Sequence, residues 1–184
     1  MIEGLSVTAD TPVRTGTPFH SGEIQMQRSV GVAERMDAFG RRVIRDHMPD
    51  QHRAFYQQLP FIVVGAVDDA GDAWATLATG APGFLTSPDA RTLRFDTARD
   101  PNDPADAGLG DGAAVGLLGI ELHSRRRNRM NGHIRRSSGD GFDVRVEHSF
   151  GNCPQYIQQR SLVFAKGEDQ TATAPIRSER LQAV

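Results

Sequence analysis

Apolar residues recur every three or four positions in the first third of the chain, which is the spacing of an amphipathic helix. One such stripe consists of Val32, Met36, Phe39 and Val43. It predicts a helix over residues 32–47, which Pro49 ends. A second, short helix is predicted over residues 50–58, because Asp50 suits the positive end of a helix and Pro60 stops it.

Beyond residue 60 the pattern changes to short β-branched or alternating runs separated by Gly, Asp and Pro. Residues 97–112 are dense in these turn formers and are expected to be an exposed loop. Short strands joined by hairpin turns, without helices between them, are typical of an antiparallel sheet or barrel. The predicted class is therefore mainly β (α+β), with helices ahead of the strands. The predicted strands cover residues 61–67, 73–80, 84–86, 92–95, 115–122, 128–136 and 142–150.

The same pattern predicts a single domain with a flanking segment on each side. Ser21 is the expected N-cap of a first helical turn, although Glu23 stands one position short of a capping box. The first and last residues show no periodicity, so a poorly ordered lead-in and a polar tail or linker are expected. The domain is expected over residues 19–165. Its boundaries divide the chain into a lead-in (1–18), a helical leader (19–59), a barrel (60–165) and a tail (166–184).

Composition narrows the classes of function. The chain has 184 residues and a formal net charge of -2, so its overall charge does not favour a nucleic-acid partner. Cys153 is the single cysteine and cannot form an internal disulfide, which favours a reducing compartment. No stretch reaches the roughly 20 apolar residues that span a bilayer, and the start lacks the apolar core of a secretory signal. We therefore expect a cytoplasmic protein without a membrane or nucleic-acid partner.

The densest chemical feature is the basic segment from His123 to His133. If it is a strand, Arg127, Arg129 and Asn131 share one face, because side chains alternate along a strand. Two guanidinium groups on one face can hold a phosphate through paired hydrogen bonds. From spacing alone, a solvated basic turn explains the segment equally well. A nucleic-acid site is a further alternative, but the segment lacks the aromatic platform of single-strand binders.

Two other patterns carry less chemistry. The six histidines and the single cysteine show no metal-ligand spacing, so no metal is expected. The glycine-rich stretch 108–116 follows a loop and leads into an apolar strand, whereas a dinucleotide-binding fingerprint lies between a strand and a helix. This stretch is therefore expected to be a flexible approach to a strand.

Several segments in order resemble the pyridoxamine 5'-phosphate oxidase-like, FMN-binding split barrels. The first hairpin has a Gly-containing turn followed by Trp74-Ala-Thr, and the leader resembles a subgroup of flavin-nucleotide-binding proteins. The resemblance covers residues 19–160, and its segments are specific only in combination. They comprise residues 18–23, 45–53, 74–79, 83–94, 116–120, 127–132 and 149–156.

This resemblance implies a split β-barrel that binds FMN against its second and third strands, at a homodimer interface. Arg91 has the position of a phosphate-binding residue, and the strand of the basic segment would add further contacts. A reductase or a ferredoxin-type protein is a possible electron partner. The basic cluster with which pyridoxamine 5'-phosphate oxidases hold substrate is lacking, so pyridoxine phosphate is not the expected substrate. The implied cofactor-binding residues are Trp74, Ala75, Thr76, Thr79, Phe84, Leu85, Thr86, Ser87, Arg91, Arg127, Arg129 and Asn131.

Four functions remain open at this point. The leading hypothesis is an FMN-dependent oxidoreductase, in which the protein orients the flavin and tunes it. The second is a non-catalytic flavin carrier or electron-transfer module that works with a reductase. A haem-binding split barrel, with His123 or His148 as ligand, is the third. The fourth is a nucleic-acid-binding small barrel that uses residues 125–129.

Overall fold

A computed structural model of the chain describes residues 16–136 and 141–163. Most of the predicted lead-in, the tip of the last hairpin and the predicted tail lie outside the described residues. The chain divides into two compact units, Met1–Ile44 and Arg45–Val184, each of which is described by itself. The third helix, which we assigned to the helical leader, lies in the second unit.

The first unit contains α1 (Ser21–Ser29) and α2 (Ala33–Val43). The expected N-cap at Ser21 is wrong by one residue. His20 is the N-cap: its Nδ1 accepts hydrogen bonds from the backbone N–H groups of Gly22 and Glu23, and its own backbone N–H donates to the Glu23 carboxylate at 2.9 Å. The pattern of a capping box is therefore complete, with an imidazole in place of the usual hydroxyl or carboxylate.

The helix predicted over residues 32–47 ends earlier, at Val43. Ile44 is extended, and Arg45 exchanges two backbone hydrogen bonds with Ser149, of 3.0 and 2.7 Å. A backbone that pairs with a strand in this way cannot continue the i to i−4 bonds of a helix. The residues after Val43 are compatible with a helix in sequence, but pairing with Ser149, which is distant in the chain, holds Arg45 in an extended conformation.

The second unit contains the predicted antiparallel sheet, so the mainly β (α+β) class with helices ahead of the strands is confirmed. The strand pattern from residue 61 onward is reproduced with small shifts at the ends. The elements are α3 (Asp50–Gln57), β1 (Phe61–Val67), β2 (Ala73–Thr79), β3 (Leu85–Asp89), β4 (Thr92–Phe95), a 3-10 helix (Pro104–Gly108), β5 (Ala114–Glu121), β6 (Arg126–Arg135) and β7 (Phe142–Asn152).

Two details of the sheet differ from expectation. Residues 87–89, which fall between the predicted strands 84–86 and 92–95, belong to the end of β3. The predicted exposed loop over residues 97–112 is partly wrong, because it contains the 3-10 helix and buries Ala105 and Leu109. These two small apolar side chains are scattered among acidic residues, so no periodicity revealed them.

The strand order is β2-β1-β5-β6-β7-β4-β3, so the two edge strands are consecutive in the chain. Six strand spacings of a flat sheet would separate them by about 29 Å. The link from Thr79 to Leu85 reaches at most about 22 Å when fully extended. The sheet must therefore curl until its edges approach, while β2 and β3 stay unpaired. A barrel with one open seam is the result.

The inner face of this curled sheet forms the core. Ile62 and Val64 from β1, Leu117 from β5 and Met130 from β6 are at most 1% exposed. Helix α3 closes one end of the core: a Cβ on Gly119 would lie 2.7 Å from the Phe55 ring. No helix in the described part of the chain is long and apolar enough to cross a membrane.

Candidate functional site: the outer face of the sheet

Strand β6 places Arg127, Arg129 and Asn131 on the outer face, as the alternation predicted. Asn128 and Met130, which lie between them, are buried on the inner face. The strand assignment also settles the choice between a basic turn and a basic strand. Only residues 122–125 form the turn, and the three predicted side chains stand in the sheet.

A row of small residues crosses the outer face of three strands. Strand register pairs Ala75 of β2 with Gly65 of β1, and Gly65 with Gly116 of β5. The row continues through Asn131 of β6 to His148 of β7. A Cβ on Gly65 or on Gly116 would meet its nearest atom at 3.6 or 3.7 Å, an ordinary van der Waals contact, so packing does not require either glycine, and both leave the backbone uncovered by a side chain. We call this row the outer trough.

A second row, parallel to the outer trough, is larger and more apolar. It runs from Leu77 through Val63, Leu118 and Arg129 to Phe150. Leu77 is 58% exposed, although an apolar side chain of this size is usually buried. The outer trough is thus bounded along one side by apolar side chains and by one guanidinium group.

The polar side chains beside the outer trough differ in whether they already form hydrogen bonds within the protein. Arg127 donates from Nη2 to the backbone oxygen of Cys153 at 2.7 Å, so it holds the chain that leaves β7. Arg129 is exposed, and neither it nor the Asn131 amide has a side-chain hydrogen bond or ion pair with any residue in the described ranges. Arg129 and Asn131 are therefore available to an outside ligand.

A β-bulge lies at the Asn131 end of the outer trough. The register between β6 and β7 shifts between Asn131 and Gly132, so that β7 carries one extra residue. The Arg145 backbone approaches Gly132 so closely that a Cβ there would lie 2.9 Å from the carbonyl carbon and nearer still to the oxygen. Bulges of this kind re-aim neighbouring side chains and are frequent beside binding sites.

The remaining predicted residues are not brought together on this face. Trp74 and Thr76 pair with Ala66 and Val64, which places them on the inner side of β2, whereas Ala75 and Thr79 lie on the outer side. The Trp74 Nε1 donates to Asp68 at 2.8 Å. This bond is the largest of the causes that hold the pKa of the Asp68 carboxyl below its usual value.

Thr76 lines a cleft of about 250 Å3 at the open seam, where its hydroxyl donates to Asp103. Thr79 also lines this cleft. Phe84, Leu85 and Ser87 are buried, and Thr86 is exposed on the outer side of β3. The predicted set therefore divides between the outer trough, the seam and the core.

Arg91 lies in the turn between β3 and β4, beside β7, where its backbone oxygen accepts a hydrogen bond from the Val146 N–H at 2.9 Å. Its Nη2 donates to Asp46 at 2.7 Å. The pKa of the Asp46 carboxyl is held low, first by a hydrogen bond from His47 and also by Arg91. The predicted role of Arg91 as a phosphate ligand stays a prediction, and in this structure its charge is already compensated.

The sequence did not reveal a buried polar contact between α3 and β7. The His52 Nδ1 lies 2.9 Å from the Ser149 hydroxyl, inside the unit. Burial, and then the nearby charges of Arg45, Arg126 and His47, lower the pKa of His52 to about 4. A neutral imidazole at this position links the helix to the strand that carries His148.

The outer trough itself could have been found only in part from the sequence. A glycine inside a β-branched run, such as Gly65, indicates a bulge or a close approach to the backbone. The alignment of Gly65 with Gly116 depends on strand register, which the sequence does not give. Among the described residues there is no group of three or more His, Cys, Asp or Glu side chains that could hold a metal ion.

Comparison with known proteins finds solved structures that are similar to this chain at low sequence identity. No protein-family model and no curated protein matches the chain. HupZ from Group A Streptococcus is similar at 11% identity and a TM-score of 0.47, over 62% of this chain and 99% of that one. A candidate pyridoxamine 5'-phosphate oxidase from Lactobacillus delbrueckii is similar at 13% identity and a TM-score of 0.45, over 57% and 94%.

A third similar structure is an FMN-binding protein from Syntrophomonas wolfei. It is 12% identical, with a TM-score of 0.44, over 68% of this chain and 96% of that one. The pyridoxamine 5'-phosphate oxidase-like split barrels, which the sequence resembles, are thus represented among the solved structures that are similar to this chain.

Proposed function

We propose that the chain binds FMN on the outer trough and serves as an oxidoreductase through the bound flavin. The observation that carries this proposal is the row of Ala75, Gly65 and Gly116, which continues to Asn131 and is flanked by Arg129. When bound, FMN supplies the transfer of electrons or hydride, and the protein supplies binding and orientation.

The residues of the outer trough fit such a ligand. A flat ring system needs a surface that lets it approach the backbone closely, and two glycines and an alanine in register provide one. An anionic phosphate needs donors that are not already engaged, and the Arg129 guanidinium is one. The Asn131 amide offers both a donor and an acceptor for a ring carbonyl or nitrogen.

The outer trough covers only one face of a planar ligand, so the proposal includes a homodimer whose partner covers the other. Leu77 and Val67, both on this side of the first hairpin, are 58% and 57% exposed. A second copy of the chain packed over this side would remove both side chains from water. Sedimentation velocity of the full chain, with and without FMN, should show a dimer; a monomer under both conditions would contradict this part of the proposal.

Two histidines lie beside the outer trough, where a bound ligand would be within reach of their rings. His148 ends the row of small residues, and the His133 Nδ1 lies 3.3 Å from the Glu147 carboxylate on the same side of the sheet.

Reduction of the bound flavin by NADH or NADPH alone would support an enzyme. Reduction only after a reductase is added would instead identify a carrier or electron-transfer module.

The test of the proposed function is an absorption spectrum of the purified chain, taken after incubation with FMN and removal of unbound flavin. Bound oxidised flavin gives two visible bands, and a colourless protein would overturn the proposal. The same spectrum would show a Soret band if the chain instead retained haem.

A further inference from the structure

A second cleft lies at the far end of β5, away from the outer trough. Its volume is about 380 Å3, within the lower range of small-molecule sites. Ile120 is four strand residues from Gly116, a distance of about 13 Å. The walls are mostly apolar, and their apolar members are Leu59, Pro60, Phe61, Pro82, Ile120, Leu122 and Leu162.

One acidic group, Glu121, faces this cleft from the end of β5. Its side chain is only 8% exposed. Both carboxylate oxygens accept hydrogen bonds from neutral donors: Oε1 from the Gln58 amide and Oε2 from the Ser124 hydroxyl. These bonds fix the position of the carboxylate, but they do not neutralise its charge.

The cations near Glu121 are directed elsewhere. Arg126, which pairs with Glu121 from the neighbouring strand β6, lies over the Phe55 ring with 5.1 Å between the guanidinium carbon and the ring centre. Arg160 donates to Gln158 and to the Gln159 backbone at the exposed mouth of the cleft. Within the described ranges, no Lys or Arg lies within ion-pair distance of Glu121.

The remaining cationic candidate is His123. Its Nε2 lies 3.7 Å from the Glu121 Oε2, and the side chain is 72% exposed. An imidazole so accessible to water gives little compensation to a buried charge. Burying a carboxylate without a counter-ion is costly, and proteins normally pair such groups. A ligand that brings a positive charge into the cleft would supply the missing partner.

We propose that this cleft binds a small organic cation, with an apolar body against the walls and a protonated nitrogen at Glu121. Gln58 and Ser124 hold the carboxylate in position for the ligand, and Ile120 and Leu122 form apolar wall on either side of Glu121 in the sequence. This site is separate from the outer trough and does not depend on flavin binding.

The probes are benzylamine, which is a cation at neutral pH, and benzyl alcohol, its neutral counterpart of similar shape. Calorimetric titration of the full chain should show that the amine binds at least about tenfold more tightly, a difference of about 1.4 kcal/mol. Equal binding of the two probes, or no binding of the amine at millimolar concentration, would overturn the proposal. This comparison uses the wild-type chain, so it does not depend on the folding of a variant.

Glu121→Gln then tests the residue itself. The amide can still accept from Gln58 and can donate to Ser124, so the local hydrogen bonds have replacements. The preference for the amine should disappear, while FMN binding is unchanged. The matched control is Glu147→Gln, which removes an exposed carboxylate of the same type and should leave the amine affinity unaltered. An unchanged affinity in Glu121→Gln, or an equal loss in both variants, would refute the assignment.

Discussion

The close approach of Gly132 to the Arg145 backbone makes Gly132→Ala a decisive test of the bulge. The added Cβ would lie 2.9 Å from the Arg145 carbonyl carbon and closer to its oxygen, where Cβ atoms essentially do not occur. Backbone atoms cannot turn away as a flexible side chain can, so β7 must shift. Overpacking of this kind costs about 1–3 kcal/mol.

The matched control is Gly116→Ala, on the neighbouring strand. Its Cβ would meet only the Asn131 amide oxygen, at an ordinary 3.7 Å. We expect its stability to stay within about 0.5 kcal/mol of wild type, as for other substitutions that create no clash.

Urea unfolding followed by circular dichroism measures both variants. With a slope of about 2 kcal/mol per molar urea, the midpoint of Gly132→Ala should fall by about 0.5–1.5 M, while that of Gly116→Ala stays near wild type. A Gly132→Ala midpoint equal to that of the control would refute the register of β6 against β7, and with it the placement of His148 beside Asn131.

Three further predictions concern charge and space. As the pH falls from about 6.5 to 4, His52 takes up a proton in the unfolded chain but not in the folded one, because burial lowers its pKa to about 4. The free energy of unfolding should therefore drop by about 2 kcal/mol over this range, less than the full effect of the pKa shift because solvent partly reaches the ring. Urea midpoints measured against pH should show this drop in wild type, and His52→Gln should remove it. Gly116→Ile should fold normally but fill the outer trough, and a titration that finds wild-type FMN affinity would contradict the proposed site. Arg91→Gln should weaken FMN binding less than Arg129→Gln does, because Asp46 already compensates Arg91; the reverse order would favour a phosphate site at the turn after β3.

The sheet could be predicted from the sequence because its strands carry local signals. The run from Phe61 to Val67 is β-branched, and the Asp-rich turn that follows specifies a hairpin, so both bounds of β1 were found. The sharing of one face by Arg129 and Asn131 followed from alternation alone, once β6 was taken as a strand.

What the sequence could not give depends on pairing between distant strands. Gly65 and Gly116 are 51 positions apart, and only the register of β1 against β5 makes them neighbours. Thr76 lies on the inner face of β2 and Ala75 on its outer face, so the Trp74-Ala-Thr segment contributes side chains to both faces of the sheet. The resemblance between segments of sequence therefore named residues from both faces of β2.

The burial of the Glu121 carboxylate also could not be predicted from the sequence. An acidic side chain at the end of an apolar strand is usually exposed, and the sequence pattern of β5 does not indicate that the Gln58 amide donates a hydrogen bond to it. Clefts between elements that are distant in the chain form from their packing, which local periodicity does not encode.

The most direct measurement for the central claim is a fluorescence titration of wild type, Arg129→Gln and Arg125→Gln with FMN and with riboflavin, which lacks the phosphate. Wild type should bind FMN at least about tenfold more tightly than riboflavin, because one charge-assisted phosphate contact contributes about 1.5–3 kcal/mol. This preference should disappear in Arg129→Gln and persist in Arg125→Gln, whose arginine lies in the turn before β6. If neither flavin binds, or if Arg129→Gln keeps the full preference for FMN, the outer trough is not a flavin site.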